Sequence, residues 1–277
     1  MTIRIAPVIP SAVTTARPAV VPGEGGDRAV GDISGAAASA TPAPAQPKPV
    51  DYGAVQALEG VALLEGLGKL AATGHVQRSY EGASEELYTR VADLDGDDRV
   101  LDLYTGQMSA PVTTTKDAWA QRLSVEHTWP RSEGAKGIAE ADLHHLQVAD
   151  KEANGARSSL PFGEVQTVKW TSRGDADGRS VQGTSATGEL VFEPADAVKG
   201  DIARGLFYFA TRYPEQRDAR GFNVALPDLL RWHEEDPVTA DERARNDAVQ
   251  AYQGNRNAYV DNPEFVDRVG QAGFLGR

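Results

Sequence analysis

Cysteine is absent from all 277 residues of the chain. This excludes disulfide bonds, thiolate-bound metals and a cysteine nucleophile, and it disfavours structural zinc, because such sites usually draw on cysteine. A run of eighteen apolar residues is also lacking, so no segment is predicted to span a membrane. Prolines interrupt the first residues before any apolar stretch of useful length, and no standard secretory signal is predicted. The redox compartment stays open, because a cysteine-free chain tolerates either environment.

Basic residues are fewer than acidic residues in this chain. The chain carries 28 basic and 40 acidic residues, a formal net charge of -12. Non-specific affinity for nucleic acid comes mostly from neutralisation of phosphates. A nucleic-acid site would therefore have to be a local basic or metal-charged surface. Nothing in the composition indicates an obligate protein partner.

Aromatic residues are almost lacking from residues 1–50, which are rich in Ala, Pro, Thr, Ser and Gly. Such a segment cannot bury enough apolar surface to offset the entropy of ordering it. We expect a disordered leader over 1–50 and a single domain over 51–277.

Apolar periodicity predicts a mostly helical α+β fold with a few strands. The C-terminal third is predicted to be helical, with a Thr239–Glu242 capping box and a last helix that begins at Asn262-Pro263. The other predicted elements are a helix over 53–73, a helix with Ser84 as its N-cap, a strand near 99–104, and a hairpin of TVKWTSR and GELVFE. Between the helices, Asp93, Asp95 and Asp97 resemble a calcium loop, but Asp98 and Tyr104 stand where an EF-hand needs Gly and Glu. We therefore interpret this segment as a tight acidic turn.

The most unusual stretch is SVEHTWPRSE, which places Glu126 beside His127. Three of the five histidines fall within nineteen residues here, namely His127, His144 and His145. The stretch is a zinc site, a catalytic base beside a metal ligand, or a strand with incidental polar residues. Alternating strand side chains point to opposite faces, which argues against three histidines on one ion.

Around this stretch the pattern predicts strands over 122–128 and 141–148, followed by a short helix with Asp150 as N-cap. The first amide on that helix is Asn154. A carboxylate and an amide oxygen suit Mg²⁺, and a histidine beside them can take a proton from water near neutral pH. Together they would form a one-metal phosphodiesterase centre, but a Glu-His pair alone is a weak signal and leaves the other two interpretations open.

The order of the blocks is more specific than any one of them. The sequence contains VEHTWPRS…ADLHHLQVADKEANGARSSLPFGEV, then KGDIARGLFYFATRY, LLRWHEEDPVTADERARN and YQGNRNAYVDNPEFV. In this order the blocks resemble the bacterial endonuclease I family, whose members are ββα-metal (His-Me finger) nucleases, over about residues 78–270. The resemblance implies a small ββα-metal core within the α+β fold.

The resemblance also implies roles for individual residues. His127 corresponds to the general base, and Glu126 and Asn154 to the ligands of a Mg²⁺ ion, a site that Mn²⁺ or Ca²⁺ can also occupy. Members of the family cleave DNA, often RNA as well, with little sequence preference, and leave 5′-phosphates. Many are secreted or periplasmic.

The chain departs from the family pattern where an Arg would hold the phosphate. The short loop after the base offers Lys136, with Arg131 at its edge, and Arg157 is a further candidate that could equally form a local salt bridge. Asp142, His144 and His145 are candidate supporting residues. These departures leave two alternatives to an active nuclease, a relative that binds nucleic acid or a partner without cutting, and a secreted nuclease toxin.

Overall fold

The computed structural model describes residues 48–174 and 178–277, and the leader predicted over 1–50 lies almost wholly outside them. The described part is a mixed α+β fold, mostly helical, as the periodicity predicted. Within it the helices are α1 Gly60–Ala72, α2 Tyr80–Glu86, α3 Thr115–Ala120, α4 Lys151–Arg157, α5 Lys199–Arg212, α6 Arg220–Glu235, α7 Ala240–Gln253, α8 Ala258–Asp261 and α9 Phe265–Phe274. The strands are β1 Leu123–His127, β2 Leu146–Asp150, β3 Thr167–Thr171, β4 Val181–Thr184 and β5 Leu190–Glu193. None of these helices is both long enough and apolar enough to cross a bilayer.

Helix α5 lies at the centre of the larger of two apolar clusters. Nearly all of its side chains are buried, and α1, α6 and α9 pack around it. Aromatic rings fill the space, with Trp129 stacked on Phe209 at a centroid distance of 4.5 Å. Truncating a buried aromatic side chain of this kind costs about 3–5 kcal/mol. This cluster gives the smaller elements a rigid base.

Strands β1 and β2 are antiparallel, with Glu126 opposite Gln147 and His127 opposite Leu146. Alternate residues of β2 face different cores, because Val148 belongs to the second apolar cluster and Ala149 to the first. Helix α4 follows β2 directly, and its N-cap Asp150 accepts from the backbone of Glu152 and Ala153, as predicted. The predicted order of strand, loop, strand and short helix is therefore present.

The predicted strand over 141–148 is wrong in its first half, because β2 begins only at Leu146. The carboxylate of Asp142 accepts from the backbone N–H of His144 at 3.1 Å, and its carbonyl accepts from that of His145 at 3.3 Å. An Asp side chain that bonds the backbone two residues on favours a turn over a strand. His144 and His145 therefore lie in a turn that precedes the strand.

The hairpin of TVKWTSR with GELVFE is also wrong, because β4 lies between β3 and β5 in a three-stranded sheet. The segment 99–104 forms a single bridge between Leu101 and Met108 instead of a strand.

Three helix starts differ from the prediction. Helix α1 begins at Gly60 instead of residue 53, after a separate 3-10 turn over Gly53–Val55. Helix α2 begins at Tyr80 with Ser79 as its N-cap, while Ser84 lies inside the helix and donates to the Tyr80 carbonyl. Helix α9 begins at Phe265, after a turn in which its amide donates to the Asn262 carbonyl. The cap of α2 thus comes earlier than the sequence pattern indicated, and the turn before α9 is longer. The Thr239–Glu242 capping box of α7 is confirmed.

The acidic segment forms a tight loop, as interpreted from the sequence. Carboxylate oxygens of Asp93, Asp95 and Asp97 lie within 4.8 Å of one another. Asp93 accepts from the backbone N–H groups of Gly96, Asp97 and Asp98. These hydrogen bonds hold the loop closed, and they explain why the three carboxylates lie close together.

Candidate active site

The end of β1 and the first turns of α4 border one open depression. Glu126, His127, Asn154, Arg131 and Arg157 all line it. Trp129, buried just beyond the strand, donates from Nε1 to the Glu133 carbonyl and fixes the chain where β1 ends. Adjacent residues of a strand point to opposite faces, but here the strand ends, so both Glu126 and His127 reach the same depression.

Glu126 is a buried carboxylate that is only 2% exposed. Its Oε1 accepts a hydrogen bond from the Tyr104 hydroxyl at 2.8 Å and faces Arg157 Nη1 at 3.1 Å. Burial raises the pKa of Glu126, and Arg157 and Tyr104 oppose that rise. No hydrogen bond within the described residues involves Oε2, so one oxygen of this carboxylate is available to a ligand.

Asn154 projects from α4 and is oriented by its amide nitrogen. Nδ2 donates to Ser124 Oγ at 3.0 Å and to the Val125 carbonyl at 3.3 Å. These two acceptors direct the opposite end of the amide away from the strand. Oδ1 takes part in no hydrogen bond within residues 48–174 and 178–277, and it is a hard oxygen donor like Glu126 Oε2.

His127 is held by its Nε2, which lies 3.1 Å from the Glu140 carbonyl. A carbonyl only accepts, so Nε2 carries the proton and Nδ1 is left with its lone pair. Tyr80 stacks on the ring at a centroid distance of 5.5 Å. Burial, reinforced by the nearby His145, lowers the pKa of His127 to about 3. The ring is therefore neutral at physiological pH, the form that a proton acceptor requires.

Arg157 is also buried, at 2% exposure, between the carboxylate and the backbone. Besides Glu126 it contacts three carbonyls, those of His127 at 3.0 Å, of Ser158 at 3.3 Å and of Thr128. Its guanidinium also lies 4.5 Å over the Phe162 ring. Arg157 thus forms the local salt bridge that the sequence left open as an alternative to phosphate contact.

Arg131 and Lys136, the other two candidate phosphate-binding residues, border different depressions. Arg131 lines the depression, is 57% exposed on its side chain and pairs with Glu140 at 2.5 Å. Lys136 is exposed and borders a separate depression that includes Glu215 and Arg220. Of the two, the structure places only Arg131 beside Glu126 and His127.

Asp142 is fully buried and receives four hydrogen bonds. Besides the His144 amide, the donors are Gln253 Nε2 at 2.7 Å, Tyr208 Oη at 2.8 Å and Tyr213 Oη at 2.9 Å. Burial would raise the pKa of Asp142, but the neighbouring histidines and hydrogen bonds lower it to about 2. The carboxylate is therefore ionised and ties the loop after β1 to α5 and α7.

The two histidines of the turn face different partners. His144 Nε2 lies 3.2 Å from the Asn255 carbonyl, and His145 Nε2 lies 2.7 Å from the Ala139 carbonyl. The rings of His145 and His127 are 5.5 Å apart. Both histidines hold the loop, and their Nε2 atoms bind carbonyls in different parts of the chain.

Sequence reasoning missed several residues that complete this arrangement. Tyr104 supports Glu126, Tyr80 covers His127, and Ser124 orients Asn154. Tyr104 lies 22 residues before its partner, so spacing carries no signal for it. Ser124 could have been found, because it precedes the Glu-His pair by two residues on the predicted strand.

Chemically, the depression combines two free oxygens on rigid elements with an uncharged imidazole. The oxygens of Glu126 and Asn154 form a donor set that fits a hard divalent cation, whereas softer metals favour nitrogen or sulfur ligands. His127 Nδ1 is placed to take a proton from a water molecule.

Comparison with known proteins identifies the family of the chain. Residues 65–264 match the family model described as Endonuclease I. An extracellular ribonuclease of Bacillus amyloliquefaciens is 32% identical over 229 residues, covering 76% of this chain and 74% of the relative. One of Bacillus subtilis (strain 168) is 33% identical over 223 residues, covering 71% and 70%. An Endonuclease-1 of Buchnera aphidicola subsp. Acyrthosiphon pisum (strain APS) is 31% identical over 124 residues, covering 44% of each chain. The chain therefore belongs to the endonuclease I family and is a nuclease.

Proposed function

We propose that this nuclease is a metal-dependent endonuclease that hydrolyses DNA and RNA with little sequence preference and leaves 5′-phosphates. The observation that carries the proposal is the arrangement of one depression, where a neutral imidazole faces two oxygens without hydrogen-bond partners in the described residues. Relatives named ribonuclease and endonuclease support a substrate class that includes both nucleic acids.

In the proposed mechanism His127 is the general base. The Glu140 carbonyl fixes the Nε2–H tautomer, so Nδ1 accepts the proton of the water that attacks phosphorus. The new P–O bond forms as the bond to O3′ breaks, and the leaving oxygen takes up a proton. The products are a 3′-hydroxyl and a 5′-phosphate.

Glu126 and Asn154 would hold a divalent cation of the Mg²⁺ type, and Mn²⁺ or Ca²⁺ suit the same oxygens. When bound, the ion supplies positive charge to the phosphate and to the leaving oxygen. Arg157 keeps Glu126 ionised and in place, and Ser124 keeps the amide of Asn154 turned with its oxygen outward. Arg131, the exposed cation of the depression, is the candidate contact for the phosphate.

The test is cleavage of plasmid DNA and of a long RNA by the purified protein with Mg²⁺, with and without a chelator. His127→Ala should lose about 10²- to 10⁴-fold in rate, the usual contribution of a general base. His75→Ala, a histidine outside the depression, is the matched control and should keep the parental rate. Digestion by His127→Ala at the parental rate, or undiminished cleavage in chelator, would contradict the mechanism.

The metal ligands have their own readout. Titration of the protein with Mn²⁺ in a calorimeter should give one site, which Asn154→Ala weakens and Glu126→Gln abolishes. Product ends complete the test, since fragments with 5′-phosphates are labelled by a polynucleotide kinase only after phosphatase treatment. Direct labelling would show the opposite polarity of cleavage.

A further inference from the structure

Trp119 is the most exposed of the large apolar side chains in the described part of the chain, at 67%. By contrast, Trp129 and Trp232 are buried. Helix α3 accounts for the orientation, because Ala118 packs into the second apolar cluster and turns Trp119 outward. An aromatic ring left in water beside an active site is typical of a binding surface.

Trp119 borders a groove, here named the Trp119 groove, with Tyr80, Leu123, Ser124, Val125 and Lys151. The groove has a cavity volume of about 330 Å³, more than a nucleobase occupies, and it is open to solvent on one side. It therefore has room for a base and part of its backbone.

The Trp119 groove is continuous with the candidate active site. Val125 lines both the groove and the depression that contains Glu126 and His127. Ser124, in the wall of the groove, accepts from Asn154 Nδ2 at 3.0 Å. Tyr80, in the opposite part, stacks on the His127 ring. A polynucleotide bound at the depression can therefore extend into the groove.

Charge in and beside the groove suits a polyanion. Lys151 lines the groove, and Lys116 is exposed one helical turn before Trp119 on α3. Neither lysine forms a salt bridge within the described residues. The nearby Glu85 carboxylate is engaged by the backbone and hydroxyl of Thr115. Against a net charge of -12, these two lysines form a local basic site at the place where phosphates would run.

We propose that the Trp119 groove binds an unpaired nucleobase of the substrate, stacked on Trp119, with Lys116 and Lys151 contacting the flanking phosphates. The proposal rests on the proposed function for the class of substrate. A base inside a duplex is paired and already stacked on its neighbours, so it cannot reach the ring. The groove therefore makes the enzyme favour single-stranded RNA or DNA over a duplex.

Binding is tested by the fluorescence anisotropy of an end-labelled oligonucleotide titrated with the full chain in chelator, where the substrate stays intact, and the quenching of tryptophan fluorescence is recorded alongside. The probes are a single-stranded oligonucleotide and the duplex of the same sequence. Trp119→Ala should weaken single-strand binding about tenfold to a hundredfold, the equivalent of one lost base stack, and change duplex binding less than twofold. Trp119→Phe keeps a stacking face, so it should retain most of the affinity but lose the fluorescence quenching.

Met108→Ala removes another exposed apolar side chain outside the groove and is the matched control. All three variants should melt with the parent, because the changes lie on the surface. In cleavage assays Trp119→Ala should raise KM for the single strand and leave kcat within about twofold, since stacking binds substrate without touching the reacting atoms.

Parental affinity of Trp119→Ala for the single strand, or equal weakening for strand and duplex, would overturn the inference. The two proposals fail separately. Trp119-dependent binding without any cleavage would count against the proposed function alone, whereas metal-dependent cleavage with unchanged KM in Trp119→Ala would count against the groove alone.

Discussion

Arg157 contacts the candidate metal ligand and the backbone of the candidate base at the same time. Its guanidinium pairs with the buried Glu126 and donates to the carbonyls of His127 and Thr128. A planar group with several donors can serve three acceptors at once, whereas an ammonium cannot. The geometry favours a positioning role for Arg157 over direct capture of phosphate.

We expect Arg157→Met to lower the free energy of unfolding by about 3–5 kcal/mol, because it leaves the Glu126 charge buried and unpaired. Urea denaturation at pH 7 measures the change. Adding Glu126→Gln to the same chain should restore part of the stability, since no buried charge then lacks a partner. An Arg157→Met protein of parental stability with a raised KM would instead show that Arg157 contacts phosphate.

At the scale of the element, the loop between β1 and β2 is organised by a side chain inside it. Asp142 binds the turn that precedes β2 and, through Tyr208, Tyr213 and Gln253, the helices beneath. The same loop supplies the Glu140 carbonyl that fixes the His127 tautomer. The orientation of the candidate base therefore depends on a carboxylate that is itself fully buried.

Asp142→Asn should lower the free energy of unfolding by about 2–4 kcal/mol. The N–H group of the new amide would face hydroxyl and amide donors that now bind the carboxylate. Both the urea midpoint and kcat should fall, and KM should change little. Tyr213→Phe removes one of the four donors and should cost only about 1 kcal/mol with near-parental kcat. If Asp142→Asn lost stability but kept the parental kcat, the orientation of His127 would not depend on this loop.

The sequence predicts best those elements that depend on interactions between residues close together in the chain. The strand that carries Glu126 and His127, the N-cap Asp150 and the capping box at Thr239 follow from patterns within a few residues, and the structure confirms them. The sequence predicts a strand at His144 because apolar residues continue to alternate through this segment. The structure has a turn there, which is favoured by the hydrogen bond from the His144 amide to the Asp142 carboxylate. Support from Tyr104 to Glu126 spans 22 residues and depends on packing, which periodicity does not contain.

For the molecule as a whole, buried histidines link stability to pH. Burial lowers the pKa of His144 and of His145 to about 4, with Asp142 opposing the shift. The Nδ1 of His145 is buried without a hydrogen-bond partner within the described residues. Protonation would therefore place an unpaired N–H and a charge in the core.

The folded pKa of each histidine lies below the unfolded value of about 6.5, so the unfolded chain binds the proton first as pH falls. Their stabilising contribution is present above pH 6.5 and is lost on acidification toward pH 4, at about 1.4 kcal/mol per pH unit for each ring. Urea denaturation from pH 7.5 to 4 should show this slope.

His145→Gln keeps a donor toward the Ala139 carbonyl but does not titrate, so its slope should be shallower by about 1.4 kcal/mol per pH unit. An unchanged slope would mean that this ring does not titrate with unfolding. With typical stabilities of roughly 5–15 kcal/mol, the two histidines together are large enough to unfold the chain in mild acid.

The donors that satisfy the site come from distant parts of the chain. Tyr104 precedes the strand that carries Glu126, and Gln253 follows Asp142 by 111 residues. A segment cut from residues 123–157 would contain Glu126, His127 and Asn154, yet its two buried carboxylates would have lost these partners. The strand–strand–helix unit is for this reason not a transplantable module. Grafting its chemistry onto another scaffold would require importing three tyrosines and a glutamine along with it.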